Sequence, residues 1–180
     1  EATQNAAEKA GIAYCELLQE PIAASVAYGL SGKDIEGKWL VFDFGGGTFD
    51  AALMEVEEGV MSVKDTEGDN LLGGKILDEA IVNEILFPHI CEKFPIQSKV
   101  SNKELTSLLK DALKRTAENV KIAFSNKDCT SYKAWHEELG EDDDGNEIIL
   151  DLEILFSSYE QAVGPWFDKA IAIASNLVRR

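Results

Sequence analysis

The residues of this chain best suited to chemistry form one run, VFDFGGGTFD, at positions 41–50. A strand-like apolar segment ends in the carboxylate of Asp43, three glycines follow, and Thr48 and Asp50 lie at the start of the next strand-like segment. Consecutive glycines let backbone N–H groups converge on an anion with no Cβ in the way. Because Mg²⁺ keeps much of its hydration shell, we expect Asp43 to hold this ion through water. The run therefore predicts a hairpin that binds phosphate and magnesium.

This hairpin differs from two common phosphate-binding loops. No Lys-Ser or Lys-Thr pair follows the glycines, as a Walker loop requires. A strand rather than a helix is predicted next, which does not fit the dinucleotide-binding pattern. The simplest alternative is a glycine-rich turn that only reverses the chain. The flanking Asp43, Thr48 and Asp50 favour the phosphate site over that alternative.

The pattern of residues 1–88 predicts the elements that position the hairpin. We expect helices at 2–10, 21–29 and 76–87, the last stopped by Pro88. We expect strands at 12–18, 39–42, 49–56 and 60–63, with a tight turn at Glu57-Glu58-Gly59. The continuous apolar run at 39–42 is typical of a strand covered on both faces, and the run at 12–18 of a buried strand. This order of elements predicts an α/β fold with a mixed sheet.

Residues 102–125 predict one long helix with an apolar face. That face would carry Leu105, Leu109, Ala112, Thr116, Val120 and Ala123. Glu118, Lys121 and Ser125 share the opposite face, where a ligand could reach them. The alternative is a solvated face with a Glu118–Lys121 ion pair.

Two strands and a final helix complete the predicted elements. The strands at 130–135 and 148–154 flank an acidic tip at 141–145, which we expect to be solvated. The spacing of its acids does not fit a calcium-binding loop. The final helix is expected to begin near Ser157. His89 and His136 have no ligand cluster nearby in the sequence and are expected to be structural.

Composition excludes several classes of function. The 17 basic and 33 acidic residues give a net charge of −16, which disfavours nucleic-acid binding. No apolar run approaches the roughly 20 residues of a membrane-spanning helix, so we expect no membrane association. Three scattered cysteines are too few for a disulfide framework or a zinc site, and we expect a cytoplasmic protein. The absence of an initial Met and the helical patterns at both ends lead us to expect a piece of a longer chain.

Four stretches, in order, resemble the seventy-kilodalton heat-shock chaperones, the DnaK-like branch of the actin-like ATPases. Residues 43–50 resemble the second phosphate-binding hairpin of that family. The other three are Glu20-Pro21-Ile22-Ala23-Ala24 with Ala27-Tyr28-Gly29, Gly68-Asp69-Asn70-Leu71-Leu72-Gly73-Gly74, and the helix carrying Glu118, Lys121 and Ser125. Four motifs in one order are far more specific than any one of them.

The resemblance implies the second lobe of the ATPase domain. That lobe has a ribonuclease H-like mixed sheet with helices and an inserted α+β subdomain. Residues 1–87 and 156–180 would form the base subdomain, truncated at both ends. Residues 88–155 would form the insertion, with the adenosine-side helix at 102–125 and a hairpin at 128–154.

The resemblance also implies a site for ATP or ADP with Mg²⁺, and K⁺ as a monovalent cation. Catalytic roles would fall to Glu20, Asp43, Thr48 and Asp50, with Asp43 on the magnesium side. Nucleotide-binding roles would fall to Gly45, Gly46, Gly47, Thr48, Gly73, Gly74, Glu118, Lys121, Ile122 and Ser125. The simpler alternatives are a helix N-terminal acid at Glu20, a solvated strand acid at Asp50 and an ordinary strand residue at Thr48.

Two departures mark a divergent member. Ile122 stands where the family usually has an arginine that stacks on adenine, so packing on the base remains but guanidinium stacking is lost. Lys75-Ile76-Leu77-Asp78 stands where the family has Glu-Asp-Phe-Asp, which leaves only the last acid.

By the same resemblance the whole protein would be a chaperone that couples ATP hydrolysis to peptide binding and protein folding. Its partners would be unfolded peptide clients, a J-domain cochaperone and a nucleotide exchange factor. We expect the 180 residues alone to be inactive. Two alternatives stay open, a small-molecule kinase of the same superfamily and a catalytically degenerate docking module.

Overall fold

The computed structural model describes residues 2–28 and 36–180. The helices are α1 (Ala2–Lys9), α2 (Glu20–Ala27), α3 (Gly74–Ile81), α4 (Phe87–Lys93), α5 (Gln97–Val100), α6 (Lys103–Phe124) and α7 (Phe156–Arg179). The strands are β1 (Gly37–Phe44), β2 (Phe49–Glu57), β3 (Val60–Asp69), β4 (Ser131–His136) and β5 (Leu150–Leu155). Backbone contacts divide the chain into two compact units. The first unit is Glu1–Asp43, Asp50–Gly68 and Ile173–Arg180, and the second is Phe44–Phe49 and Asp69–Ala172.

The three-stranded sheet has the order β1-β2-β3. Its central strand, β2, is the most buried, with Ala51, Ala52, Met54 and Val56 all nearly inaccessible. The turn between β2 and β3 has positive φ at both Glu58 (52°) and Gly59 (76°). This is the backbone of a two-residue hairpin turn whose twist matches that of the strands it joins. The predicted turn and both of its strands are confirmed, and β3 extends beyond the predicted residues.

Two predictions for the first unit are wrong. Residues 12–18 form no strand, and Leu17 and Leu18 are more than half exposed. An apolar run becomes a strand only when a partner completes its backbone hydrogen bonds, and this run is not part of the sheet. Strand β1 forms as predicted but is not covered on both faces, since Leu40 and Phe42 are more than 40% exposed. The helix predicted to end at Gly29 is confirmed as α2, and Gly29 itself lies outside the described residues.

The second unit encloses a continuous hydrophobic core. Residues of α3, α4, α6, α7 and the β4–β5 hairpin meet there, and Leu113, Ile148 and Leu150 are fully buried. Strands β4 and β5 pair antiparallel, from Ser131 opposite Leu155 to His136 opposite Leu150. The predicted hairpin and final helix are confirmed, and His136 has a structural contact, 2.9 Å from Nδ1 to Thr116 Oγ1.

Helix α6 begins at an N-cap, where the side chain of Asn102 accepts hydrogen bonds from the backbone N–H groups of Glu104 and Leu105. The helix has the predicted length, but the face that is buried is rotated about the helix axis relative to the predicted face. Buried residues are Leu109, Leu113, Thr116, Ala117, Val120 and Phe124. Leu105 and Ala112, predicted to be buried, are exposed, whereas Phe124 is buried and packs against the rings of Phe156 and Tyr159.

Pro88 does not stop the helical run, contrary to the prediction. Between α3 and α4 lies a π-helical turn, Val82–Leu86, and Phe87 donates its N–H to the carbonyl of Val82. Pro88 then occupies the first turn of α4, where its missing N–H is tolerated. The wider turn lets the chain stay helical as far as Lys93.

The acidic tip is less solvated than predicted. Asp142 is 9% exposed, and its carboxylate accepts hydrogen bonds from the backbone N–H groups of Asp144 (3.0 Å) and Asn146 (2.8 Å). Asp143 accepts hydrogen bonds from both the backbone N–H and the hydroxyl of Ser98. The tip is thus fixed by its own acids. Among the described residues no helix is both long and apolar enough to span a lipid bilayer.

Candidate functional site

The predicted phosphate hairpin is a tight turn in the second unit. The N–H of Gly45 donates to the carbonyl of Thr48 at 2.8 Å, which closes the turn. Gly46 and Thr48 are exposed. Within the part of the chain that the structure describes, the backbone N–H groups of Gly46, Gly47 and Thr48 have no hydrogen-bond acceptor. Three successive donors without a described acceptor, on an exposed turn, are available to an anion.

The Gly73-Gly74 pair packs directly against this turn. Gly74 donates its N–H to the carbonyl of Gly45 at 2.9 Å, and Lys75 donates to the carbonyl of Gly46 at 2.8 Å. A Cβ built on Gly73 would lie 2.8 Å from the carbonyl oxygen of Gly45 and from backbone atoms of Gly47. Only glycine permits this approach. The two glycine motifs, more than 20 residues apart in the sequence, therefore form one structure.

Lys121 connects helix α6 to this structure. Its Nζ lies 2.6 Å from Asp78 Oδ1 and 3.2 Å from the carbonyl oxygen of Gly74. The two side chains are 24% and 18% exposed, so the ion pair is partly shielded from water. The Glu118–Lys121 pair that the sequence left open is not formed, because Lys121 pairs with Asp78 instead.

The other predicted nucleoside contacts lie along the exposed face of α6. Glu118 lines a groove of about 450 Å³ together with Lys75, Asp78, Glu79, Lys114 and Arg115. Ile122 is 60% exposed. The hydroxyl of Ser125 donates to the carbonyl of Ile122 at 2.6 Å, so only its acceptor lone pairs are available to a ligand.

The predicted carboxylates come together in the first unit. Glu20, Asp43 and Asp50 line one cleft of about 610 Å³, and Asp65, Lys64 and Thr66 also line it. All three predicted acids are exposed. Lys64 is occupied by Glu55, 2.6 Å away, and this contact holds the pKa of Glu55 below its usual range.

The cleft fits a hydrated cation better than a directly coordinated one. Within residues 2–28 and 36–180, no group of three acidic, histidine or cysteine side chains is arranged to hold a metal ion. Mg²⁺ keeps several of its waters, which lets spaced carboxylates contact it through them. Glu20, Asp43 and Asp50 are the residues of this cleft that could hold Mg²⁺ through its waters.

Two residues of the site were missed by sequence reasoning. Asp78 was noted only as a surviving acid, yet it holds Lys121. Lys75 was noted only as a departure, yet its side chain lies beside Gly47, within 4.0 Å of a Cβ built there. The helical spacing of Asp78 and Lys75 in α3 could not reveal either contact, since both depend on how α3, α6 and the hairpin pack.

Comparison with known proteins identifies the family. The model of the Hsp70 protein family matches residues 1–176. The chain is 41% identical over 131 residues to proteins named chaperone protein DnaK from Ureaplasma urealyticum serovar 10 and Ureaplasma parvum serovar 3. The match covers 73% of this chain and 21% of each relative, so the chain spans about a fifth of the length of these proteins. On the family match over nearly its whole length, the chain belongs to the Hsp70 protein family.

Proposed function

We propose that this chain is part of the nucleotide-binding domain of an Hsp70 chaperone and binds ATP or ADP with Mg²⁺. The observation that carries the proposal is the set of three free N–H groups at Gly46, Gly47 and Thr48, on a turn fixed by the Gly73-Gly74 pair. Backbone donors held in place before the ligand arrives bind phosphate oxygens with little reorganisation. Thr48 would add its hydroxyl as a further donor.

The exposed face of α6 would bind the nucleoside. An ammonium group has three donors, and Lys121 uses two of them on Asp78 and Gly74. The third is available to a ribose hydroxyl, and the Glu118 carboxylate can accept from another. Ile122 would pack against the base without stacking as an arginine would, and Ser125 could accept a hydrogen bond from an amino group.

The cleft lined by Glu20, Asp43 and Asp50 would bind the cations, with K⁺ as the monovalent one. Mg²⁺, held through water, supplies charge neutralisation to nucleotide phosphates when bound. The residues themselves would orient the waters of its shell and add negative charge. This assigns catalytic roles to the same acids, with Thr48 as the fourth catalytic residue.

For the whole protein, we propose ATP hydrolysis coupled to peptide binding and protein folding, in the cytoplasm. Unfolded peptides, a J-domain cochaperone and a nucleotide exchange factor would be its partners, with no nucleic acid. The proposed fold is the second lobe of an actin-like ATPase domain, with base residues 1–87 and 156–180 and an inserted subdomain at 88–155. Family membership and the DnaK relatives support this over a small-molecule kinase or a degenerate docking module.

Gly46→Val tests the phosphate-binding role of the hairpin. No atom of the described residues lies within 4 Å of a Cβ built on Gly46, so the fold should tolerate the change, while the branched side chain would cover the free N–H groups. We expect calorimetric titration of the full-length protein to show ATP affinity at least about tenfold weaker, with an unchanged urea midpoint. Equal ATP affinity in a folded variant would contradict the proposed role.

A further inference from the structure

Lys75 lies beside the phosphate hairpin, with both its backbone and its side chain close to the turn. Its backbone N–H donates to the carbonyl of Gly46 at 2.8 Å. Its Cδ is the nearest atom to a Cβ built on Gly47, at 4.0 Å. The aliphatic part of the side chain therefore lies beside Gly47, and the ammonium, one methylene beyond Cδ, is close enough to reach a ligand bound on the turn.

The ammonium of Lys75 has no anionic partner. Several other lysines are paired with carboxylates: Lys64, Lys114, Lys121, Lys133 and Lys169. Among the described residues, no carboxylate oxygen comes within ion-pairing distance of Lys75. In a chain of net charge −16, an exposed lysine without a partner beside a turn of free donors leaves a positive group available to a ligand.

Arg115 lines the same groove and provides a comparison. Like Lys75 it is exposed and forms no ion pair with any described residue. It lies on α6, and none of its described contacts is with the hairpin. A general effect of positive charge in the groove would appear for both residues, whereas a direct contact with phosphate on the turn would make the loss of phosphate binding much larger for Lys75 than for Arg115.

We propose that Lys75 contacts phosphate, its ammonium binding the phosphate oxygens of a nucleotide seated on the glycine hairpin. The inference rests on the proposed function and adds to it. The backbone N–H groups are neutral donors, so an ammonium beside them converts part of the contact into a charge-assisted interaction. Lys75 stands where the resemblance leads us to expect an acid, which would repel phosphate. The lysine therefore increases the share of the binding free energy that comes from the phosphates. The share from the base is smaller, because Ile122 provides no guanidinium to stack on it.

The test compares nucleotides with adenosine in the full-length protein. Titrations with ADP, ATP and adenosine, with Mg²⁺ at low salt, would use Lys75→Gln, Lys75→Arg and the matched control Arg115→Gln. We expect Lys75→Gln to weaken the affinity for ADP and ATP about three- to tenfold and to change the affinity for adenosine by less than about twofold. Lys75→Arg should retain most of the affinity, and the loss in Lys75→Gln should shrink at high salt.

Distinct results would overturn the inference alone or together with the proposed function. Unchanged ATP affinity in Lys75→Gln, or an equal loss for adenosine and ATP, would exclude a phosphate contact. An equal loss of nucleotide affinity in Arg115→Gln would show that the effect comes from the overall positive charge of the groove and not from a contact with Lys75. If the unaltered protein binds neither ADP nor ATP, the proposed function fails and the inference fails with it. A urea midpoint for each variant confirms that all are folded.

Discussion

Gly73 shows how a single residue determines the shape of the site. Its φ of 172° is ordinary extended backbone, so the need for glycine comes from proximity alone. The backbone of the hairpin lies where any side chain would begin. Lys121 supports the same junction from the other side, through Asp78 and the carbonyl of Gly74.

We expect Gly73→Ala to destabilise the fold by about 1–3 kcal/mol, because the added methyl forces backbone atoms apart. Chemical denaturation would measure the change. Gly46→Ala serves as the control, since its Cβ would meet no atom within 4 Å, and its effect should be much smaller. Equal stability of the Gly73→Ala and unaltered proteins would show that the hairpin can move away freely.

The Lys121–Asp78 ion pair should contribute more to the stability of the fold than an exposed ion pair does. We expect Lys121→Met to cost about 1–3 kcal/mol of unfolding free energy, because it leaves the shielded carboxylate of Asp78 without its partner. The control is Lys114→Met, which removes a pair with Asp111 whose side chains are about half exposed. That loss should be below about 0.5 kcal/mol. Similar losses in urea denaturation would contradict a special role for Lys121.

At the scale of elements, the features that depend on residues adjacent in the sequence could be predicted. The features that depend on tertiary packing could not. The Glu58-Gly59 turn and the length of α6 depend on neighbouring residues, and both were predicted. The buried face of α6 depends on the core residues of the other elements that pack against it, and its prediction was displaced.

The same limit explains the other errors. Residues 12–18 have the composition of a strand but no partner strand in the sheet, and Pro88 is accommodated by the π-helical turn before it. For the site, glycines and acids were recognisable by type, whereas the contacts of Lys75 and Asp78 required the packing of α3 on the hairpin and α6.

The acidic tip offers a pH-dependent test of one element. The hydroxyl and then the backbone N–H of Ser98 donate to Asp143 and hold the pKa of its carboxyl below the usual range. Because the pKa is lower in the folded state, the contact stabilises the fold fully above the unfolded value, about 3.9. Its contribution is lost as the pH falls through the folded value.

We expect an NMR titration of the Asp143 carboxyl carbon to give a midpoint below about 3.9, rising towards that value in Ser98→Ala. Ser101→Ala is the control, because Ser101 is exposed and its hydroxyl has no described hydrogen bond. An unaltered midpoint in Ser98→Ala would mean that the tip is held by other contacts.

At the scale of the whole molecule, the family model matches residues 1–176, and the alignment with the DnaK relatives covers about a fifth of their length. We therefore expect the proposed coupled chaperone activity to need more than these 180 residues. We expect the isolated chain to hydrolyse almost no ATP, because the resemblance implies only the second lobe of the ATPase domain. Robust ATP turnover by the isolated chain in a phosphate-release assay would contradict the expectation that this lobe alone is inactive.

The most direct test of the proposed function is single-turnover ATP hydrolysis by the full-length protein, with and without an unfolded peptide. We expect slow hydrolysis that accelerates when the peptide is added, and loss of hydrolysis in Asp43→Asn. Hydrolysis that is indifferent to peptide would contradict the coupling. Absence of hydrolysis in the folded protein with Mg²⁺ would contradict the proposed ATPase and leave the glycine hairpin as a binding element only.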